Sequence, residues 1–581
     1  MSKFLRAFTI LSPKAKRRMF LLLPVIVVGM ALETLSVGMV LPALGILISE
    51  TYFDSFPILA SFINFFGNPS HDKLVFLGLS GLAGAFILKN IFLFYQVHCL
   101  GTFVYGAQRE IAVELFRSYL NKSYIFHLEV NSAILLRNIT GEVNSYSAYF
   151  LMPSINLLTE SLVIIGILGL VFWLEPTGTL LLILFLGILV YLFIRATKRI
   201  VGSWGQKRIF AEEQKMKHLK QGFDGIKEII LSGKLEYFIK RFYEPNQVAG
   251  LMNKREYILQ YVPKQGIEVI AICGLIGMCV FLISQGKPKT DVMYILGLLA
   301  TAGFRIIPSF SRILNNLQSM RYGWASVDAL KHEFSLKRDD CTYPSSLEVN
   351  SDSSNLNAFK NEILIENISF SYSQKSEQVL SGVNMTINKG ETIGLIGPSG
   401  SGKSTLTNLM LGVFQPSSGA IYIDGNLLNK DNVSSWQQMI GYVPQEIYLL
   451  DDTIRRNIAF GIEDSDIDDA RIMSVIKMAQ LESLVDQKNH GLDLMLGERG
   501  ARLSGGQKQR IGIARALYND PQVIILDEAT SALDGKTENG ILESLEPLQG
   551  DKTILIITHR QSSLKICSKV FEISAKGLIK A

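Results

Sequence analysis

Cysteine is scarce in this chain: Cys99, Cys273, Cys279, Cys341 and Cys567 are scattered over 581 residues. No CxxC pair and no cluster at metal-ligand spacing occurs, which leaves free thiols in membrane or cytosol. A large charge imbalance is also missing. The net charge of +5 makes no case for nucleic-acid binding. No clear cleavage site follows the first apolar segment, which stands behind Lys14, Lys16, Arg17 and Arg18. That segment is too long for a signal-peptide core, so a retained helix is expected. Internal duplication is absent as well: each of the short glycine-rich and Asp-Glu motifs of the second half occurs once.

Apolar residues, by contrast, are abundant. They make up 48% of the chain, and the mean hydropathy is +0.25. They form long runs before residue 320 and short strand-like runs after 360. The first half therefore reads as a membrane domain and the second as a soluble α/β domain, at least two domains in all. Six segments reach the length of about 20 residues that a bilayer requires: 19–48, 74–96, 150–174, 178–195, 262–284 and 291–315. Lys and Arg concentrate before the first span and in alternate loops, which places both termini in the cytoplasm. The cytoplasmic connections, 97–149 and 196–261, carry helical periodicity and few breakers. Residues 52–66, YFDSFPILASFINFF, fit either a short amphipathic helix on the outer surface or an apolar loop packed on the spans.

Residues 337–360 are rich in Ser, Asn and Asp and read as a linker. The domains are thus expected at 1–336 and 361–581. In the second, a strand ending at Ile396 leads into Gly397-Pro398-Ser399-Gly400-Ser401-Gly402-Lys403-Ser404, and a helix follows from Thr405. Glycines let backbone N–H groups turn inward around phosphates, Lys403 supplies charge, and Ser404 can hold Mg²⁺. The apolar strand Val523 to Asp527 ends in a carboxylate, expected to hold Mg²⁺ through water. Glu528 is placed to polarise an attacking water.

Between these motifs lies Leu503-Ser504-Gly505-Gly506-Gln507. This order resembles the ATP-binding cassette (ABC) exporters, and the resemblance covers nearly the whole chain. It implies an α-helical membrane domain of six spans with long cytoplasmic helices, fused to an α/β P-loop ATPase. It also implies short transverse helices, near 123–131 and 221–228, that touch the ATPase domains. Carried over residue by residue, it implies adenine stacking by Tyr372, a Mg²⁺- and water-sensing Gln445, and a γ-phosphate switch at His559. Ser531 to Asp534 resembles the loop that crosses between subunits, and Gly497 to Gly500 the segment touching the transverse helices. Six spans and one cassette make a half-transporter. Ser504, Gly505, Gly506 and Gln507 of one copy would close over ATP at Lys403 of another. The intact motifs favour a homodimer; a close heterodimer stays open. The N-terminal peptidase domain of some peptide exporters is not expected.

Within that family the chain resembles the bacterial PglK-type flippases of lipid-linked oligosaccharides. This likeness rests on Leu32-Glu33-Thr34, Pro42, the aromatic segment after it, Thr140 to Val143, and Phe304 to Ser309. It implies inner-membrane residence and outward movement of a polyprenyl-pyrophosphate-linked glycan. Export of another lipid, a peptide or a drug is the alternative. Lys89, Lys264 and Arg305 lie in or beside apolar spans, where a charge facing lipid is costly. They either meet a pyrophosphate headgroup, pair with Glu33, Glu160 or Glu268, or snorkel to the interface.

Overall fold

The computed structural model describes residues 6–40, 71–174, 176–284, 289–336, 358–372, 378–485, 491–529, 534–574 and 579–580. The expected outer segment 52–66, most of the linker 337–360, and Ser531 to Leu533 lie outside them. The chain forms two units, Met1–Leu120 with Val130–Asp340, and Asn121–Glu129 with Cys341–Ala581.

In the first unit, apolar helical stretches run without a break into polar helix. The helices are α1 (Pro13–Gly38), α2 (His71–Leu120), α4 (Ser132–Arg137), α5 (Val143–Tyr146), α6 (Met152–Leu174), α7 (Pro176–Asp224), α8 (Ile226–Ser232), α9 (Leu235–Ser284) and α10 (Lys289–Leu336). Two π-helical turns, Asn138–Glu142 and Ser147–Leu151, join α4, α5 and α6 end to end. Among the described residues, three stretches are long and apolar enough to cross a membrane: Pro13–Gly38, Val75–Leu120 and Ser132–Trp173. Many of their apolar side chains face outward, Phe94 and Trp173 at 77% and 81% exposure. A soluble core would bury them, whereas lipid would cover them. Inside, Val37, Val163, Ile167, Val171, Ile267, Ile306, Phe310 and Leu314 form one cluster.

The expected transverse helix near 221–228 sits further along. Helix α7 continues to Asp224, Gly225 interrupts it, and α8 is closed by Gly233 in the left-handed region. The break therefore falls at Gly225, and the short helix covers Ile226–Ser232 rather than 221–228. The other transverse helix, α3 (Tyr124–Glu129), falls as expected and packs with the second unit.

The second unit contains two sheets. One is antiparallel, in the order β2 (Leu380–Asn388), β1 (Glu362–Phe370), β4 (Ser418–Ile423), β5 (Asn426–Leu427). The other has the order β10 (Ile579–Lys580), β9 (Lys569–Ile573), β3 (Thr392–Ile396), β8 (Thr553–Ile557), β7 (Val523–Asp527), β6 (Ile440–Val443). From β9 to β6 every pairing is parallel. All five residues of β7 and of β8 are buried, as expected of parallel strands covered on both faces. Around the sheets lie α11 (Lys403–Met410), α12 (Val433–Gln438), α13 (Ile454–Ile458), α14 (Asp469–Met478), α15 (Gly505–Tyr518), α16 (Gly535–Leu545) and α17 (Gln561–Leu564).

Candidate functional site

Parallel strands present their carboxyl ends at one edge, where open α/β sheets hold ligands. Here β3, β8, β7 and β6 are neighbours in that order. Their ends deliver, in a row, the Gly397–Gly402 loop, His559, Asp527 with Glu528, and Gln445. Neighbouring strands lie about 4.8 Å apart, so a side chain after β7 can be reached from both sides. Glu528 is: Gln445 Nε2 donates to its Oε2 at 2.7 Å, and His559 Nε2 lies 3.3 Å from its Oε1. Glu528 has φ +49°, a left-handed backbone unusual for a residue with a side chain. Its N–H donates to the carbonyl of Ile557 at 2.9 Å.

Asp527 is buried, and the hydroxyl of Tyr442 donates to its Oδ2 at 3.5 Å. Burial first, then the neighbouring Glu528, push its pKa above the usual aspartate range. An aspartate so placed gains from a cation.

The loop from Gly397 to Gly402 depends on its glycines. At Gly397, with φ +151°, a Cβ would stand 2.5 Å from the carbonyl oxygen of Ile573. At Gly402, with φ +99°, it would stand 2.7 Å from Leu380. Lys403 opens α11 and is itself buried. Its Nζ donates to the carbonyls of Gly397 and Pro398 at 2.8 and 3.0 Å. Ser401 Oγ is buried without a hydrogen-bond partner. Pro398, Ser399, Gly400 and Ser404 are open to solvent to differing degrees, while Thr405 is buried. The Tyr372 hydroxyl lies 3.1 Å from Thr405 Oγ1. Its ring packs edge-on against Phe370 and Phe414 at 5.2 and 5.7 Å.

Ser504 caps α15. Its hydroxyl accepts from the Gln507 N–H at 3.2 Å, and Gln507 Oε1 accepts from the Ser504 N–H at 2.8 Å. This reciprocal box satisfies the helix start and presents Gly505 and Gly506 without large side chains. Among the described residues, no hydrogen bond joins this group to the loop of its own chain. Asp534 caps α16, accepting from Thr537 N–H at 3.3 Å.

In the first unit the expected cations part ways. Arg305 grips the buried Glu33 with two hydrogen bonds, Nε to Oε2 at 3.1 Å and Nη2 to Oε1. Lys89 lies within electrostatic reach of both and 4.3 Å from the centre of the Phe86 ring. Lys264 is exposed on α9 and joins no ion pair among the described residues. The sequence reading missed Arg312, two turns beyond Arg305 on α10, which forks onto Glu160 at 2.5 and 3.1 Å. The spacing of seven residues could have revealed it. It also missed Phe414, which stacks on Phe370 at 5.1 Å and meets Tyr124 of α3 at 5.9 Å. No sequence signal marks that contact.

Residues 380–531 match the ABC transporter family. The chain is 26% identical over 516 residues to an ATP-dependent lipid A-core flippase of Ralstonia nicotianae, covering 86% of this chain and 83% of the relative. It is 41% identical over 227 residues to the uncharacterized ABC transporter ATP-binding protein YwjA of Bacillus subtilis, covering 39% of each. Its fold matches that of a bacterial Atm1-family ABC exporter solved with ATP bound, at 20% identity and a TM-score of 0.80. That match covers 97% of this chain and 94% of the other. The chain thus has the fold of an ABC exporter half-transporter and carries an ABC transporter ATPase domain, in which ATP hydrolysis is coupled to transport.

Proposed function

We propose that Glu528 is the general base for ATP hydrolysis. The observation that carries this reading is its grip between Gln445 and His559, beside Asp527. The loop Gly397 to Ser404 would cradle the phosphates. Its residues fit such a group: Ser401 Oγ lacks a partner, and the Lys403 ammonium is held by carbonyls of its own loop that phosphate oxygens can replace. Thr405 closes the loop, and Tyr372, at its rim, would stack on adenine. His559 would meet the γ-phosphate. Ser404, Gln445 and Asp527 would hold Mg²⁺, whose charge supports phosphoryl transfer. Among the described residues no group of three or more His, Cys, Asp or Glu could hold a metal, so phosphate oxygens would complete its shell. Ser504, Gly505, Gly506, Gln507 and Asp534 would serve ATP bound to a second identical subunit. Glu528→Gln should cut hydrolysis at least about a hundredfold, the usual worth of a general base, while ATP still binds. Retained turnover would sink this assignment.

The cargo we propose is an amphiphile with an anionic phosphate headgroup and sugars, moved outward across the inner membrane, with both termini and the ATPase domain cytoplasmic. A polyprenyl-pyrophosphate-linked oligosaccharide is the first reading. Arg305 and Lys89 stand together, and a phosphate could take the place of Glu33 on the Arg305 fork. Lys264 would act at the edge of the path. A lipid A-core glycolipid is the second reading, favoured by the relative from Ralstonia nicotianae. Proteoliposomes offered each lipid separately discriminate the two. ATP-driven movement of the first alone supports it, of the second alone replaces it, and of neither removes both.

A further inference from the structure

Glu538 carries a buried carboxylate that the chemistry above does not use. It sits in the first turn of α16, the helix that Asp534 caps. It is 3% exposed, and an ionised carboxylate is that deeply buried only when its oxygens are well satisfied. Three donors converge on it. Arg560 Nη1 donates to Oε2 at 2.6 Å. The hydroxyls of Ser562 and Ser563 each donate to Oε1 at 2.8 Å. All three donors belong to the four residues that directly follow His559. On the other side of the histidine, the Thr558 N–H donates to the Leu395 carbonyl at 3.3 Å. Thr558 Oγ1 also accepts from the Arg560 N–H at 3.0 Å.

His559 itself is half exposed, and its ring nitrogen Nε2 approaches Glu528 at 3.3 Å. That ring is aimed by the backbone on either side of it. The strand side is fixed by β3. The far side is fixed through Glu538, from a different helix.

We propose that Glu538 is the positioning residue of His559, holding Arg560, Ser562 and Ser563 so that the imidazole stays aimed at Glu528. The inference rests on the roles proposed for His559 and Glu528. It adds a mechanical consequence. Because Glu538 rides on the helix capped by Asp534, any shift at the start of α16 is passed to His559 through a charge-assisted hydrogen bond.

The test uses full-length protein in proteoliposomes and compares Glu538→Gln, Arg560→Met and the double variant. A displacement of the order of an ångström at a catalytic group can cost about a hundredfold. Glu538→Gln should therefore lower kcat by about tenfold or more while KM for ATP stays within about twofold, because the adenine and most of the phosphate contacts are assigned to Tyr372 and the loop Gly397 to Ser404, which this change leaves in place. Arg560→Met leaves both serine bonds to Glu538 in place, so it answers the same question if the first variant folds poorly. The double variant should be no slower than the slower single one, the mark of two residues acting through one contact. Glu538→Gln with near-wild-type kcat, or a loss of kcat matched by a loss of ATP affinity, overturns the proposal. Glu528→Gln and His559→Ala run alongside. If they keep turnover, the reading of the site fails; if they abolish it and Glu538→Gln does not, only the positioning role fails.

Discussion

Glu528 and Glu538 carry their charge in opposite settings. Glu528 is partly open and held in a strained backbone, where a left-handed φ costs of the order of 1 kcal/mol or more. Glu538 is closed and fully partnered. Burial alone would raise the pKa of Glu538, but the hydrogen bonds from Ser562, Arg560 and Ser563 outweigh it and hold the carboxyl below the usual glutamate range. A lowered folded-state pKa gives stability that is present above the unfolded value, about 4.3. That stability is lost as pH falls through the folded value. Wild type should therefore be more stable than Glu538→Gln at about pH 7, and the gap should narrow as pH drops below about 4. Denaturation midpoints of the two proteins across that range measure it, and a gap independent of pH would mean that the charge is not the source. The two glutamates were not equally legible. Glu528 follows a buried strand and an aspartate, a pattern that sequence carries. Glu538 is one glutamate on an amphipathic helix, and its partners lie 22 to 25 residues away in sequence.

Helices of the first unit touch backbone to backbone at two glycines. A Cβ on Gly205 of α7 would stand 2.4 Å from the Tyr322 carbonyl oxygen of α10. One on Gly323 of α10 would stand 2.7 Å from Tyr149 Cβ and 2.9 Å from its carbonyl oxygen. Overpacking of this kind costs typically about 1–3 kcal/mol. Gly323→Ala should lower the melting temperature in detergent, whereas Gly101→Ala, with nothing within 4 Å, should leave it unchanged or raise it. Beside these contacts, Glu142 of the first π turn is 1% exposed. It lies 3.4 Å from Arg208 Nη2 and 4.0 Å from Arg137 Nε. Arg208 in turn donates to Ser145 and Ser326, both at 2.8 Å. Removing one member of such a buried set costs about 3–5 kcal/mol, because the other charge is left behind. Arg208→Met should therefore destabilise strongly, and Arg208→Met with Glu142→Gln should recover part of the loss in the same melting assay. The helices were legible because hydrophobic runs and helical periodicity survive in sequence. The π turns and the break at Gly225 were not, since tertiary packing rather than helical periodicity decides where a helix bulges or ends.

At the scale of the whole molecule, the remaining question is where each nucleotide site is completed. The order of motifs along the chain pointed to an ATPase, but strand order is not written in hydropathy. Only the arrangement β3-β8-β7-β6 shows why Gln445 and His559 flank Glu528. The Ser504 group takes no part in that row, and its hydrogen bonds close on its own helix. If a second copy supplies it, then Lys403→Ala and Ser504→Arg variants should each be inactive as homodimers. Mixed in equal amounts before assembly, half of the dimers would be heterodimers under two-fold symmetry. Each of these would carry one intact site, made from the phosphate loop of one variant and the Ser504 group of the other. The mixture should then regain roughly a quarter of the wild-type site count. ATPase rates of purified, differently tagged heterodimers give the cleaner number. Recovery requires a site shared between two chains, because within one chain each variant lacks an essential part. Heterodimers as inactive as the parents would place Ser504 to Gln507 at their own chain's nucleotide and remove the reason for a dimer at this site.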